Sequence, residues 1–156
     1  MKLEIILPPA PRACDRNHGK AGIAAAGANK RARLIAKVRA LDAMLAQGVS
    51  HDDGFKPKYM CLTFLDATGR LDADNAVATF KHYQDGIFDA LRTDDRNVAD
   101  MYVRKRKLRH EGRLVMHRWT RCFLTDEYNE FADDCRSAAA GVAAMFDVWI
   151  KEGAEQ

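Results

Sequence analysis

The chain has 156 residues, 47% hydrophobic and 30% charged, with a formal net charge of +3, a balance that fits one globular domain and leaves no room for two ordinary ones. No apolar run approaches the ~20 residues that a membrane span requires. The opening MKLEIILPPAPRACDRN is too short in its apolar part, and too broken by proline, for a signal peptide, so the expectation is a single domain over residues 1–156 with a cytoplasmic location and no membrane partner.

Residues 2–7 (KLEIIL) read as an opening strand, followed by PPAPRACDRNHGKAG, a long loop rich in proline, glycine and basic residues. In residues 29–47, Leu34, Val38, Leu41 and Leu45 recur at helical spacing with Lys and Arg on the other side, and Gly48 stops the pattern. This predicts an amphipathic basic helix. Residues 57–65 (PKYMCLTFL) read as a strand, and residues 97–107 and 113–120 as two more, joined through RHEG as a hairpin. A final helix over about 127–151 lines Phe131, Cys135, Ala138, Val142, Met145, Phe146 and Trp149 along one stripe. The predicted fold class is α/β (α+β), a small mixed β-sheet with helices packed on it and an additional C-terminal helix. Cys14, Cys61, Cys122 and Cys135 show no CxxC or Cys/His spacing, which argues against a zinc centre or disulfide framework and predicts reduced, mostly buried thiols.

Charge is blocked along the chain. Residues 1–50 carry nine Lys/Arg against three Asp/Glu and residues 101–124 eight against one, whereas residues 51–100 carry six against ten. Basic blocks around an acidic centre suit a polyanion held beside bound cations, although solvated surface accounts for the same blocks.

The acidic centre is concentrated in LDADNAVATFKHYQDGIFDALRTDDRNV, residues 71–98, with six aspartates. Val77, Phe80, Ile87, Phe88 and Leu91 have helical period, which predicts a helix from Asp74 to Leu91. At about 100° per residue, Lys81 and Asp85 fall roughly 20° to either side of Asp74, so the three share one stripe away from the apolar face. Asp72 precedes this helix, and Asp94 and Asp95 follow it. If the next strand pairs near the start of this helix, as short connections in a mixed α/β domain allow, Asp72, Asp74 and one of the pair can converge. Such a cluster repels itself unless a divalent cation binds, and its hard oxygen ligands suit Mg²⁺, or Mn²⁺ as a substitute, for phosphodiester hydrolysis by a metal-activated water. Simpler uses exist for each residue taken singly: a helix cap for Asp72 or Asp74, a surface ion pair for Lys81 and Asp85, a turn for Asp94 and Asp95.

The ordered set Asp72-x-Asp74-Asn75, Lys81 and Asp85, Ala90-Leu91, and Asp94-Asp95, behind a proline loop LPPAP at residues 7–11, resembles the RusA family of Holliday-junction resolvases. The resemblance spans residues 3–106, and its specific part is residues 72–98. It implies a homodimeric, Mg²⁺-dependent endonuclease that cuts branched DNA, four-way junctions above all. By position it makes Asp72, Asp74 and Asp95 the metal-binding catalytic carboxylates and Lys81 the catalytic lysine, with Asn75, Asp85 and Asp94 in supporting places. The family leaves two residues between the asparagine and the lysine; here there are five, AVATF, which moves the lysine almost one helical turn along the same face. Candidate DNA contacts are Arg12, Arg16, Lys20, Lys30, Arg31, Arg33, Arg104, Lys105, Arg106, Lys107 and Arg109, though on a strand only alternate members of the RKRK run can face DNA. Two other readings stay open: a non-cleaving DNA-binding accessory protein of the same fold, and a metal-dependent phosphohydrolase of small nucleotides.

Overall fold

The computed structural model describes residues 1–9, 23–65, 73–106, 109–110, 113–114 and 119–137. Among them run β1 (Lys2–Leu7), α1 (Ile23–Gln47), β2 (Tyr59–Leu65), α2 (Ala73–Leu91), β3 (Asp100–Arg106), β4 (Arg109–His110), β5 (Arg113–Leu114), β6 (Trp119–Thr125) and α3 (Tyr128–Ser137). Four strands form one mixed sheet in the order β1-β6-β2-β3, and three helices pack on it. The α+β class expected from the sequence is therefore the observed one.

The β2-α2-β3 unit supplies the parallel part of the sheet, with Tyr59 opposite Asp100 and Leu65 opposite Arg106, as a helical crossover between parallel strands requires. Among the described residues the hairpin expected through RHEG is present only as a short pair, and residues 100–106 pair with β2. In it β4 and β5 pair over two residues each, Arg109 with Leu114 and His110 with Arg113, and β6 inserts antiparallel between β1 and β2. Burial accounts for the difference. A central position lets Cys122 and Leu124 enter the core, whereas pairing on β3 would leave β6 at the sheet edge. At the opposite edge, the Gln47 side-chain amide accepts from the Glu4 N–H (2.9 Å) and donates to the Glu4 carbonyl (2.7 Å), so it occupies backbone groups that an edge strand otherwise leaves open.

Leu3, Ile5, Leu7, Met60, Leu62, Phe64, Cys122 and Leu124 line the sheet face covered by α1 and α2. On α2 the buried residues are Ala76, Phe80, Tyr83, Ile87, Phe88, Ala90 and Leu91, close to the period read from the sequence. On α1 the expected face is reversed. Ala28, Ala32, Ala36, Ala40 and Met44 are buried, while Leu34, Val38, Leu41 and Leu45 are exposed. The helices cross so closely that a Cβ added at Gly86 would lie far inside van der Waals contact with the Arg33 carbonyl oxygen and 2.9 Å from the Ala36 Cβ. Only small residues fit that crossing. Helix α1 ends where expected: Gly48 adopts a left-handed conformation (φ 68°) and Val49 N–H donates to the Met44 carbonyl at 2.8 Å, a glycine stop closed by a 6→1 hydrogen bond.

The other sheet face carries α3. Phe131 stacks on Tyr59 with ring centroids 5.3 Å apart, as its place on the expected apolar stripe requires. Beside it is a buried ionic group. Arg121 of β6 makes a two-point contact with Asp134 of α3 (2.6 and 2.9 Å) and donates to Glu4 of β1 at 2.5 Å. The remainder of the stripe, from Ala138 to Trp149, lies outside the described residues.

Cys61 and Cys122 are buried free thiols, and Cys135 is a half-buried one. Burial first, then a hydrogen bond with Asp134, pushes the Cys61 thiol up to about 12, so it stays protonated at neutral pH and unreactive as a nucleophile. Cys14 lies outside the described residues. Among the described residues no helix is long and apolar enough to cross a membrane.

Candidate active site

Helix α2 ends by reversing the chain. Arg92 takes a left-handed conformation (φ 54°), and Thr93 N–H returns to the Phe88 carbonyl at 3.2 Å. The next residues form a short 3₁₀ turn, Asp95–Asn97, capped by Asp94, whose carboxylate accepts from the Arg96 N–H at 2.9 Å. Asp94 thus has the turn role open to it from the sequence. That cap points Asp95 back at the middle of α2. Its carboxylate accepts from Lys81 Nζ at 2.6 Å and from Gln84 Nε2 at 3.0 Å. Lys81 Nζ also lies 2.9 Å from Asp85.

Lys81, Asp85 and Asp95 therefore meet in one cluster, with Gln84 as a fourth member. The lysine and Asp85 come together because four residues on a helix is one turn; Asp95 joins them through the reversal at Arg92. Each carboxylate is less than a third exposed, and the ammonium is about half exposed. The group can hold an anion at its ammonium edge or exchange that ammonium for a metal cation at its oxygens. A cleft of about 590 Å³ opens alongside, lined in part by Asp85, Asp89, Asp94, Asp95, Arg33 and Arg92.

The hydrogen bond from Lys81 holds the Asp95 carboxyl below the usual carboxylate range, against the opposing effect of partial burial, while Asp95 and then Asp85 raise the Lys81 ammonium. A carboxyl with a depressed folded-state pKa adds stability above its unfolded value, near 3.8 here. That contribution is lost as pH falls through the lower folded value. Lys81→Met is expected to return the Asp95 titration upward toward the ordinary range. NMR titration of the side-chain carboxyl carbon reads this directly, and an unmoved midpoint would contradict the pairing.

Asp74 and Asn75 lie in the first turn of α2, where only the backbone is described. Asp74 is seven residues before Lys81, about 10 Å along the helix axis at 1.5 Å per residue. Asp72 lies outside the described residues. Among the described residues no three His, Cys, Asp or Glu side chains form a metal-binding group. Of the three carboxylates that the resemblance assigns to the metal, only Asp95 has a described side chain. Its chemistry fits Mg²⁺, being a hard oxygen donor kept ionised at neutral pH, but binding there would require Lys81 to yield a position.

The candidate DNA contacts divide by placement. Lys30 and Arg31 are exposed on α1, and Lys105 is exposed on β3. Arg33 is taken up by Asp89 of α2 in a two-point pair at 2.6 and 2.7 Å. Arg104 turns to the α3 side of the sheet, where it donates to the Asp134 carbonyl at 3.1 Å and to the Cys135 carbonyl. Arg106 and Arg109 lie on β3 and β4, and only their backbone is described. Arg12, Arg16, Lys20 and Lys107 lie outside the described residues.

The sequence reading missed Gln84, Arg33–Asp89 and Arg121–Asp134. The signal for Gln84 was its place three residues after Lys81, on the same helical edge.

No protein-family profile matches the chain. A 45-residue stretch is 44% identical to an uncharacterized protein of Xylella fastidiosa (strain Temecula1). That match covers 29% of this chain and 29% of the other protein.

Proposed function

We propose that the protein is a Mg²⁺-dependent, structure-specific endonuclease of branched DNA, a crossover junction endodeoxyribonuclease of the RusA type that acts on four-way junctions as a homodimer. The observation that carries this reading is the return of Asp95 onto the Lys81 and Asp85 edge of α2. It joins the end of the aspartate segment to the stripe that begins at Asp74.

In this reading Asp72, Asp74 and Asp95 would hold the metal and Asn75, Asp85 and Asp94 would support them; a bound ion there would supply Lewis acidity for attack of water on a phosphodiester and for departure of the leaving oxygen. Lys81, held between Asp85 and Asp95, keeps a positive charge at the edge of the carboxylate group. Were Asp95 engaged by a bound ion, the Lys81 ammonium would be free to offset charge on the phosphoryl oxygens, with Asp85 holding the lysine in place. Lys30, Arg31 and Lys105 supply backbone contacts that fix the DNA without reading its sequence. Arg33 and Arg104, engaged with Asp89 and the α3 carbonyls, contribute by ordering α1 and β3.

The test is a gel assay of the purified protein on a synthetic four-way junction and a matched linear duplex, each with Mg²⁺ and with EDTA. Paired nicks on the junction alone, dependent on Mg²⁺, are expected, and binding should weaken steeply as salt rises because phosphate contacts release counterions. Tight binding without cuts would instead favour the accessory-protein reading. Absence of both, with hydrolysis of small nucleotides, would replace the DNA reading altogether.

A further inference from the structure

The reversal of α1 leaves an apolar row on the outside of the protein. Leu34, Val38, Leu41 and Leu45 are 61%, 48%, 39% and 85% exposed. At about 100° per residue the row is centred nearly opposite Ala36, the middle of the buried alanine face. An apolar stripe of this kind on the face turned away from the domain core marks an interaction surface.

Its spacing identifies the partner. The intervals are four, three and four residues, the alternation of core positions along a two-stranded coiled coil. Such a row is complementary to a copy of itself. Lys37 flanks it on one side and Asp42 on the other, both exposed. In a parallel pair, residues on the two flanks five positions apart face each other across the seam. Lys37 of each copy then meets Asp42 of the other, so the two-fold forms the contact twice. An antiparallel pair sets each flank against its own copy and brings like charges together.

We infer that the outer face of α1 pairs with α1 of a second copy of this chain in a parallel, two-fold arrangement seamed by Leu34, Val38, Leu41 and Leu45. This gives the homodimer of the endonuclease reading a surface, and to that extent rests on it. Two heptads bury on the order of 700 Å² in total, below the ~1,200 Å² of stable interfaces. The dimer is therefore expected to be weak and concentration-dependent.

Sedimentation velocity on the full chain over roughly 1 to 200 μM tests the inference. The wild-type protein is expected to shift from monomer to dimer, and Val38→Glu with Leu41→Glu to remain monomeric with an unchanged circular dichroism spectrum. Lys37→Glu alone should weaken the dimer about tenfold, and Lys37→Glu with Asp42→Lys should restore it. A wild-type protein that stays monomeric throughout, with a lowered melting temperature in the double glutamate variant, would overturn the inference by showing that the row is covered within one chain, for example by the apolar residues of 138–151. Failure of the charge exchange to restore association would overturn the parallel arrangement. Because sedimentation reads mass and not cleavage, an active monomer or an inactive dimer separates the failure of this inference from that of the endonuclease reading.

Discussion

Gly86→Ala is expected to destabilise the protein by about 3 kcal/mol, the upper part of the range for overpacked cores. At an open helical site the same change stabilises by ~1 kcal/mol, because glycine has the greater conformational freedom in the unfolded chain. Here the added methyl has nowhere to go. It meets the Arg33 carbonyl oxygen, which is backbone and cannot turn aside, and the Cβ of Ala36. Relief requires α1 and α2 to move apart, which opens the packing of Ala32, Ala36 and Ala40 and strains the Arg33–Asp89 pair. Urea denaturation of both proteins reads the effect as a shift in midpoint at constant slope. A stabilised variant would mean that the two helices do not cross at Gly86.

Asp134→Ala should cost a similar amount, about 3 kcal/mol, by leaving a buried guanidinium short of its main partner. Arg121 and Asp134 are each only 8% exposed. Glu4 remains on Arg121 Nε, which keeps the loss at the lower end of what breaking a buried pair produces. Burial alone would lower the affinity of Arg121 for its proton, but its hydrogen bonds to Asp134 and Glu4 more than reverse this. The charge persists in the variant because a guanidinium does not deprotonate in a protein, so the cost cannot be avoided by deprotonation. Replacing both partners by apolar residues, Arg121→Met with Asp134→Leu, is expected to recover most of the stability, since removing both charges also removes their desolvation. If the single and double variants unfold at the same urea concentration, the pair is not what holds α3 to the sheet.

The same two sites mark where the sequence could and could not be read. Helix α2 was legible because Phe80, Ile87, Phe88 and Leu91 are large, and their period has one interpretation. Helix α1 was legible as a helix, but its inner face was not, because leucine outranks alanine in any hydrophobic pattern. The information that reverses the face is non-local: a glycine at position 86 of another helix sets a crossing distance that only Ala28, Ala32, Ala36 and Ala40 satisfy. The short extent of the RHEG hairpin has a related cause. Proximity in sequence favours pairing residues 97–107 with 113–120, whereas burial of Cys122 and Leu124 favours placing β6 between β1 and β2. Arg121 left a weak signal, a charge in the middle of the strand WTRCFLT. Asp134 lay three residues after Phe131, on the edge of the stripe that faces the sheet. Neither residue alone announces the pair.

At the candidate site, helical spacing placed Lys81 beside Asp85, and the structure has them 2.9 Å apart. The return of Asp95 depends on the path of the chain after Leu91, which sequence pattern leaves as a condition. Arg92 in its left-handed conformation and the Asp94 cap bring Asp95 to Lys81 and Gln84 in the middle of α2, while Asp72 and the side chain of Asp74 lie outside what the structure describes. Gln84 joins because the same turn passes over the next step of the helix edge.

Everything proposed about chemistry rests on the stripe from Asp74 to Asp95 acting as one cation-dependent site on DNA. The most direct measurement compares wild-type protein and Asp74→Asn on a labelled four-way junction in Mg²⁺, with cleavage read by denaturing gel and binding by mobility shift in EDTA. Asp74→Asn is expected to lose cleavage by at least a hundredfold, about 2.7 kcal/mol of transition-state stabilisation, while binding the junction as tightly as the wild-type protein or more so. Cleavage by Asp74→Asn at the wild-type rate would contradict the proposed site.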